Sequence, residues 1–169
     1  SERVGVLYSV AWPIKMGFKA FCKNHPEQRQ NFAYSEFSIF PLEGVWTSLD
    51  AGDPTNKDQF RYTIMIRQPD FITEELFADA LEAAERKKPH PFLQDVRFST
   101  MEEGLCIQML HRGSFDDEPA SFLKMDGFAQ EQGYRRLNEF HREIYLGDPR
   151  KGPPEKRRTI LRYQVASSL

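Results

Sequence analysis

Residues 140–146 have the sequence Phe-His-Arg-Glu-Ile-Tyr-Leu, in which apolar and polar side chains alternate. Alternation is typical of a β-strand with one buried face, because successive side chains of a strand point to opposite faces of the sheet. The apolar face carries Phe140 and Ile144, and the opposite face carries Glu143 and Tyr145. We expect the apolar face to pack on a helix and the Glu143 face to lie on the helix-free side of an antiparallel sheet.

The rest of the chain supplies the other elements of this sheet. Strand-like patterns occur over residues 37–46, 60–67, 96–101, 105–111 and 158–165. Helical spacing of apolar residues occurs over residues 4–18, 73–88 and 116–133. Thr73 is the predicted N-cap of the second helix, and Pro13 is expected to kink or shorten the first. The predicted order is α-β-β-α-β-β-α-β-β.

This order contains two related halves. Residues 105–165 form a β-α-β-β unit, and residues 2–67 form the same unit without its first strand, which suggests an internal duplication. We therefore predict an α+β fold with helices on one face of an antiparallel sheet. One domain covers residues 1–169, with a first repeat at 1–70, a connecting helix and strand at 71–103, and a second repeat at 104–169.

Composition excludes several classes of protein. The 169 residues include 23 basic and 25 acidic side chains, and a net charge of −2 argues against bulk electrostatic binding to nucleic acid. No run approaches about 18 consecutive apolar residues, so we expect no membrane span. The N-terminal residues do not resemble a signal peptide, and Cys22 and Cys106 form no disulfide framework. Both observations predict a cytoplasmic protein.

Common catalytic and metal motifs are missing from the sequence. It has no glycine-rich phosphate loop and no G-x-S-x-G motif. His141 and Glu143 match the H-x-E of zinc deaminases, but the P-C-x-x-C that should follow is absent. Cys22 and His25 lack a second ligand pair at a suitable spacing. We therefore predict neither a metal nor another cofactor.

Aromatic residues are abundant, with 14 phenylalanines, 6 tyrosines and 2 tryptophans. Some lie on predicted helix-facing positions and are expected in the core: Phe77, Phe122, Phe128 and Phe140. Others lie on strands near Glu143 and could line a groove with it: Trp46, Phe60, Tyr62, Tyr145 and Tyr163. A carboxylate among rings attracts lipophilic cations, and burial raises its pKa toward that of a general acid or base. The alternative is a strand whose polar face simply meets water.

Five stretches of the chain resemble the stand-alone GyrI-like small-molecule-binding proteins, over about residues 7 to 165. The stretches are FPLEGVW (40–46), MIRQPDF (65–71), EGLCIQMLH (103–111), DDEP (116–119) and REIYLGDPRK (142–151). The resemblance implies tandem β-α-β-β repeats with pseudo-twofold symmetry and a cleft for hydrophobic, cationic or planar ligands. This fold is shared with the effector-binding domains of multidrug-sensing transcription activators and with the gyrase-inhibitory protein.

The resemblance also implies site residues. The ligand-contacting acid is Glu143 in the E-x-Y motif that ends at Tyr145, and Trp46 with Glu43 belongs to the wall. Glu43 and Trp46 lie on opposite faces of a regular strand, so a bulge at Gly44 would be needed to bring both to one cleft.

The predicted function is binding of lipophilic, cationic or planar small molecules, such as xenobiotics. One alternative is a hydrolase that opens the cyclopropane of DNA-alkylating natural products. In that reaction Glu143 would act on water and Tyr145 would donate a hydrogen bond to the carbonyl that gains charge. A second alternative is a protein-binding module, with gyrase as the candidate partner.

Overall fold

A computed structural model describes residues 2–28, 37–48, 60–148 and 150–168. In these residues the helices are α1 (Glu2–Asn24), α2 (Glu74–Lys87) and α3 (Glu118–Glu131). The strands are β1 (Leu42–Ser48), β2 (Phe60–Ile66), β3 (Cys106–Arg112), β4 (Tyr134–Arg136), β5 (His141–Tyr145) and β6 (Arg158–Ser167). The chain divides into two compact units, one of Ser1–Phe40 with Ile66–Thr100 and one of Pro41–Met65 with Met101–Leu169.

The first unit is built on the pair α1 and α2. The stripe of Val10, Ile14 and Phe18 on α1 is buried, and the Phe18 ring stacks on that of Phe71 with centroids 4.5 Å apart. The helix continues through Pro13 to Asn24, so the predicted early end is wrong. Burial of the apolar stripe on both sides of the proline outweighs the loss of one backbone hydrogen bond.

The start of α2 follows the sequence prediction. Thr73 Oγ1 accepts a hydrogen bond from Leu76 N at 3.3 Å, which satisfies one of the free N–H groups of the first turn. Arg86 and Lys87 lie in the last turn, where the helix dipole favours basic side chains.

The strand predicted at residues 96–101 is wrong. A 3₁₀ turn at Pro91–Asp95 is followed by irregular chain. Val96 and Phe98 pack against the core of the first unit, and the Phe98 ring stacks on that of Phe77 at 5.5 Å. The alternating apolar residues of this stretch pack against the core, but their backbone does not pair with another described strand. The strand predicted from residue 37 begins instead at Leu42, directly after Pro41, which has no N–H for a ladder.

The second unit is an antiparallel sheet with the order β2-β1-β5-β6-β3, and β4 pairs with β6. With the three helices this confirms the α+β class. Strand β2 has the predicted start at Phe60, whereas β4, with only three residues, was missed. Helix α3 ends before Gly133, whose φ of 71° suits a glycine after a helix.

Helix α3 covers the face of the sheet that carries Glu143. Residues directly opposite in an antiparallel pair share a face, and Glu143 lies opposite Leu161 on β6. Leu161 and Tyr163 are buried with Met125 and Ala129 of α3. The expectation that Glu143 lies on the helix-free side is therefore wrong, because alternation defines two faces without showing which one a helix covers.

The same arrangement decides which aromatic residues enter the core. Phe140 and Phe128 are half exposed, so their predicted core positions are wrong. Phe77 and Phe122 are partly buried against their respective cores, as expected. Tyr163, which was expected beside Glu143, lies on the same face of the sheet and is buried there under α3.

Candidate functional site

Three polar side chains of strand β5 lie on the face of the sheet that α3 covers: His141, Glu143 and Tyr145. The Glu143 side chain is almost fully buried, and both of its oxygens have partners. Its Oε1 lies 2.9 Å from His141 Nε2, and its Oε2 accepts a hydrogen bond of 2.7 Å from the Tyr145 hydroxyl. A carboxylate held by two donors has a fixed position and orientation.

Strand β1 adds a tryptophan to this row. Trp46 Nε1 donates a hydrogen bond of 3.1 Å to the Tyr145 oxygen, and the Trp46 ring lies 5.0 Å from that of Tyr62. Gly44 makes room for this contact, because a Cβ there would lie 2.6 Å from Trp46 Nε1 and 3.3 Å from Tyr145 Oη. We call His141, Glu143, Tyr145, Trp46 and Tyr62 the Glu143 cluster.

Two phenylalanines border the same cluster, Phe115 in the 3₁₀ turn just before α3 and Phe122 on α3 itself. The Phe115 ring meets the Tyr145 ring edge-on at 6.0 Å, and the Phe122 ring meets the imidazole of His141 at 4.9 Å. Burial first, and then the negative charge of Glu143, raise the pKa of Tyr145 above its ordinary value, so its hydroxyl stays a hydrogen-bond donor.

A second carboxyl group, that of Glu118, lies between Phe115 and Phe122 in the sequence. Glu118 is buried in the first turn of α3. Burial, followed by the charges of Glu143 and Asp116, raises its pKa to about 8. In the sequence, Glu118 lies in the acidic first turn of the helix predicted over residues 116–133, and acids are common at helix N-termini for reasons unrelated to burial.

The structure brings together four of the predicted site residues: Trp46, Tyr62, Glu143 and Tyr145. Glu43 is not among them, because the β1–β5 register is regular and the predicted bulge at Gly44 is wrong. Glu43 lies opposite Ile144, on the other face of the sheet from Glu143.

The remaining predicted residues have other surroundings. On the other face, Glu43 accepts a hydrogen bond of 3.1 Å from Arg142 Nη1. The Tyr163 ring belongs to the core under α3, and its hydroxyl donates a hydrogen bond of 2.8 Å to Asp126 on that helix. The side chain of Phe60 lies outside the described part of the chain.

The described residues contain no group of three or more His, Cys, Asp or Glu side chains placed to hold a metal ion. None of the helices within them combines the length and apolar content that crossing a bilayer requires. The Glu143 cluster itself offers a carboxylate, a phenol, an imidazole and an indole on one face. Such a set can bind a cation or planar ring, and it can also transfer a proton.

The chain matches the family of the GyrI-like small molecule binding domain over residues 7–165, and it belongs to that family. Its structure is similar to an uncharacterized conserved protein from Listeria innocua, with a TM-score of 0.79 and 40% identity. It is also similar to a hydrolase encoded by lin2189 of the same organism, with a TM-score of 0.79 and 38% identity. Each comparison covers 96% of this chain and 78% of the other. A search of proteins with curated descriptions gave no match.

Proposed function

We propose that the chain binds lipophilic small molecules, cationic or planar, at the Glu143 cluster. The observation that carries this proposal is a buried carboxylate bordered by aromatic rings on one sheet face. Glu143 is 8% exposed, and the Tyr145 and Trp46 rings are linked to it through one chain of hydrogen bonds. Membership of a small-molecule-binding family supports the same conclusion.

Charge and ring contacts together explain the preferred ligand class. A negative charge acts more strongly on a cation in a buried setting than in water, because the local dielectric is lower. The face of an indole or phenol adds cation–π attraction of about 1–2 kcal/mol for a desolvated cation. Tyr62, which is 45% exposed, provides a ring that a ligand can reach from solvent. A planar monocation uses all of these contacts.

Glu143→Gln is expected to weaken binding of thioflavin T, a planar lipophilic monocation, by about tenfold or more. The substitution removes the charge and keeps the shape, so the lost free energy is that of a desolvated ion pair, on the order of 1.4 kcal/mol or more. Fluorescence titration measures the dissociation constants. The matched control is Glu103→Gln, because Glu103 pairs with Arg142 on the other face of β5. Equal affinities of Glu143→Gln and wild type would contradict the proposal.

A second candidate function is hydrolysis of a strained small ring at the same cluster. The 2.7 Å hydrogen bond between Tyr145 and Glu143 favours it, and structures similar to this chain carry the description hydrolase. Glu143 would take a proton from water while the water oxygen bonds to a cyclopropane carbon. The electron pair of the breaking C–C bond would move to a conjugated carbonyl, whose oxygen would accept the hydrogen bond that Tyr145 otherwise donates to Glu143.

Tyr145→Phe is expected to slow this reaction by about 100-fold, which is typical for loss of one donor to a developing oxyanion. The assay follows a cyclopropane-bearing alkylating compound by mass spectrometry for addition of one water. Glu143→Ala is the inactive reference. Turnover by wild type no faster than by Glu143→Ala would end this candidate. The alternative of gyrase as a protein partner stays a prediction from the sequence.

A further inference from the structure

Glu118 faces the middle of the Glu143 cluster across the interface between α3 and β5. Phe115, three residues before it, contacts Tyr145, and Phe122, four residues after it, contacts His141. Residues three or four apart share a helix face, and alternate residues of a strand share a sheet face. Glu118, which lies between the two phenylalanines in sequence, is near enough to Glu143 for the charge of Glu143 to raise its pKa.

The two acids differ in their hydrogen bonds. Both are 8% exposed, and both oxygens of Glu143 have donors. Glu118 Oε1 is buried and has no hydrogen-bond partner among the described residues. A buried polar atom without a partner costs free energy, so a group that supplied a partner would be bound favourably at this position.

The groups around Glu118 are mostly acidic. Glu143 and Tyr145 face it from β5 together with His141, and Asp116 lies just before α3. On β3, His111 Nδ1 is bonded at 2.9 Å to Ser121 Oγ, three residues along α3 from Glu118. These charges favour a neutral Glu118 in the empty site, because two buried carboxylates repel each other.

One basic side chain also lies nearby. The Arg157 guanidinium stands 4.9 Å from the centre of the Phe115 ring, and its charge opposes that of the acids. Burial, followed by the charges of Glu143 and Asp116, raises the pKa of Glu118 to about 8.

We propose that Glu118 is a second ligand-contacting carboxyl of this site, which holds a proton in the empty site and loses it when a lipophilic monocation binds. The O–H bond of Glu118 breaks, the proton passes to the buffer, and two carboxylates then share the positive charge. This inference rests on the proposed function. It adds that the protein binds permanent cations more tightly than neutral ligands of the same shape, and that this difference in affinity increases with pH. A neutral ligand of the same shape gains nothing from the loss of the proton.

Calorimetry with thioflavin T tests the release of the proton. Titrations at pH 7.5 in phosphate and in Tris are expected to differ in heat by the release of about 0.5–1 proton per ligand. The wild-type affinity is expected to rise roughly 20-fold from pH 6.5 to pH 8.5. In Glu118→Gln, both the proton release and most of the pH dependence are lost. Glu131→Gln, at the exposed end of the same helix, keeps both effects. Wild type titrated with an uncharged thioflavin analogue is expected to show neither.

The outcomes separate this inference from the proposed function. Binding of the cation without proton release overturns the role of Glu118 and leaves the site at Glu143 intact. A wild-type protein that does not bind the cation contradicts both. Carboxyl NMR of the ligand-free protein gives an independent reading that does not require the variant to fold identically. Titration of Glu118 with a midpoint below pH 6 overturns the proposal.

Discussion

Glu118→Gln is expected to stabilise the protein relative to wild type by an amount that grows between pH 5 and pH 8. The pKa of Glu118 is raised from its ordinary value of 4.5 to about 8 in the folded protein. Within this window the folded state binds more protons than the unfolded chain, so wild-type stability falls as the pH rises. Glutamine cannot ionise and avoids this loss, which is on the order of 3 kcal/mol between pH 5 and pH 8.

Urea unfolding of wild type and variant at several pH values measures this effect. The free-energy difference between them should be small near pH 4.5, rise through neutral pH, and level off above pH 8. Glu131→Gln is the control, since Glu131 is exposed near the end of the same helix. A constant difference between Glu118→Gln and wild type from pH 5 to pH 8 would show that Glu118 ionises normally.

Leu161→Ala is expected to lower the free energy of unfolding by about 3 kcal/mol. Leu161 is fully buried on β6, opposite Glu143 of β5 and Met109 of β3, and it packs with Met125 of α3. Truncation of a buried leucine removes its transfer free energy and leaves a cavity, which together cost about 2–5 kcal/mol. Chemical denaturation of the variant gives this value.

Leu110→Ala provides the comparison on the opposite face of the same sheet. Leu110 lies opposite Ile160, next to Leu161 on β6, and is 39% exposed. Its truncation should cost less than about 1 kcal/mol, because little surface is withdrawn from water at this position. Similar losses for Leu110→Ala and Leu161→Ala would contradict the placement of α3 over the Glu143 face.

Most of the fold could be predicted from local patterns. The alternation from Phe60 and the capping residue Thr73 specify their elements through interactions with near neighbours in sequence. Residues 96–101 have a similar alternation, but a strand also requires a neighbour in space, which the pattern does not show. Strand β4 has only three residues, which are too few to show an alternation of apolar and polar side chains.

The site was predicted in part, for a related reason. The E-x-Y spacing places Glu143 and Tyr145 on one face of any strand, and the abundance of aromatic residues on neighbouring strands indicated Trp46 and Tyr62. Alternation could not show that α3 covers this face, so Glu118 was missed. The sequence could not show that Tyr163 packs under α3, because its hydrogen-bond partner Asp126 lies 37 residues away in the chain.

The fluorescence of Trp46 gives the most direct test of the central claim that the Glu143 cluster binds the ligand. The chain has two tryptophans, and Trp12 lies on α1 in the other compact unit, so Trp12→Phe leaves Trp46 as the only tryptophan emitter. Thioflavin T should quench this emission saturably, with the dissociation constant found by calorimetry. In Trp12→Phe combined with Glu143→Gln, the same concentrations should quench far less. Saturable binding by calorimetry with unchanged Trp46 emission, or equal quenching with and without the Glu143 carboxylate, would contradict the claim.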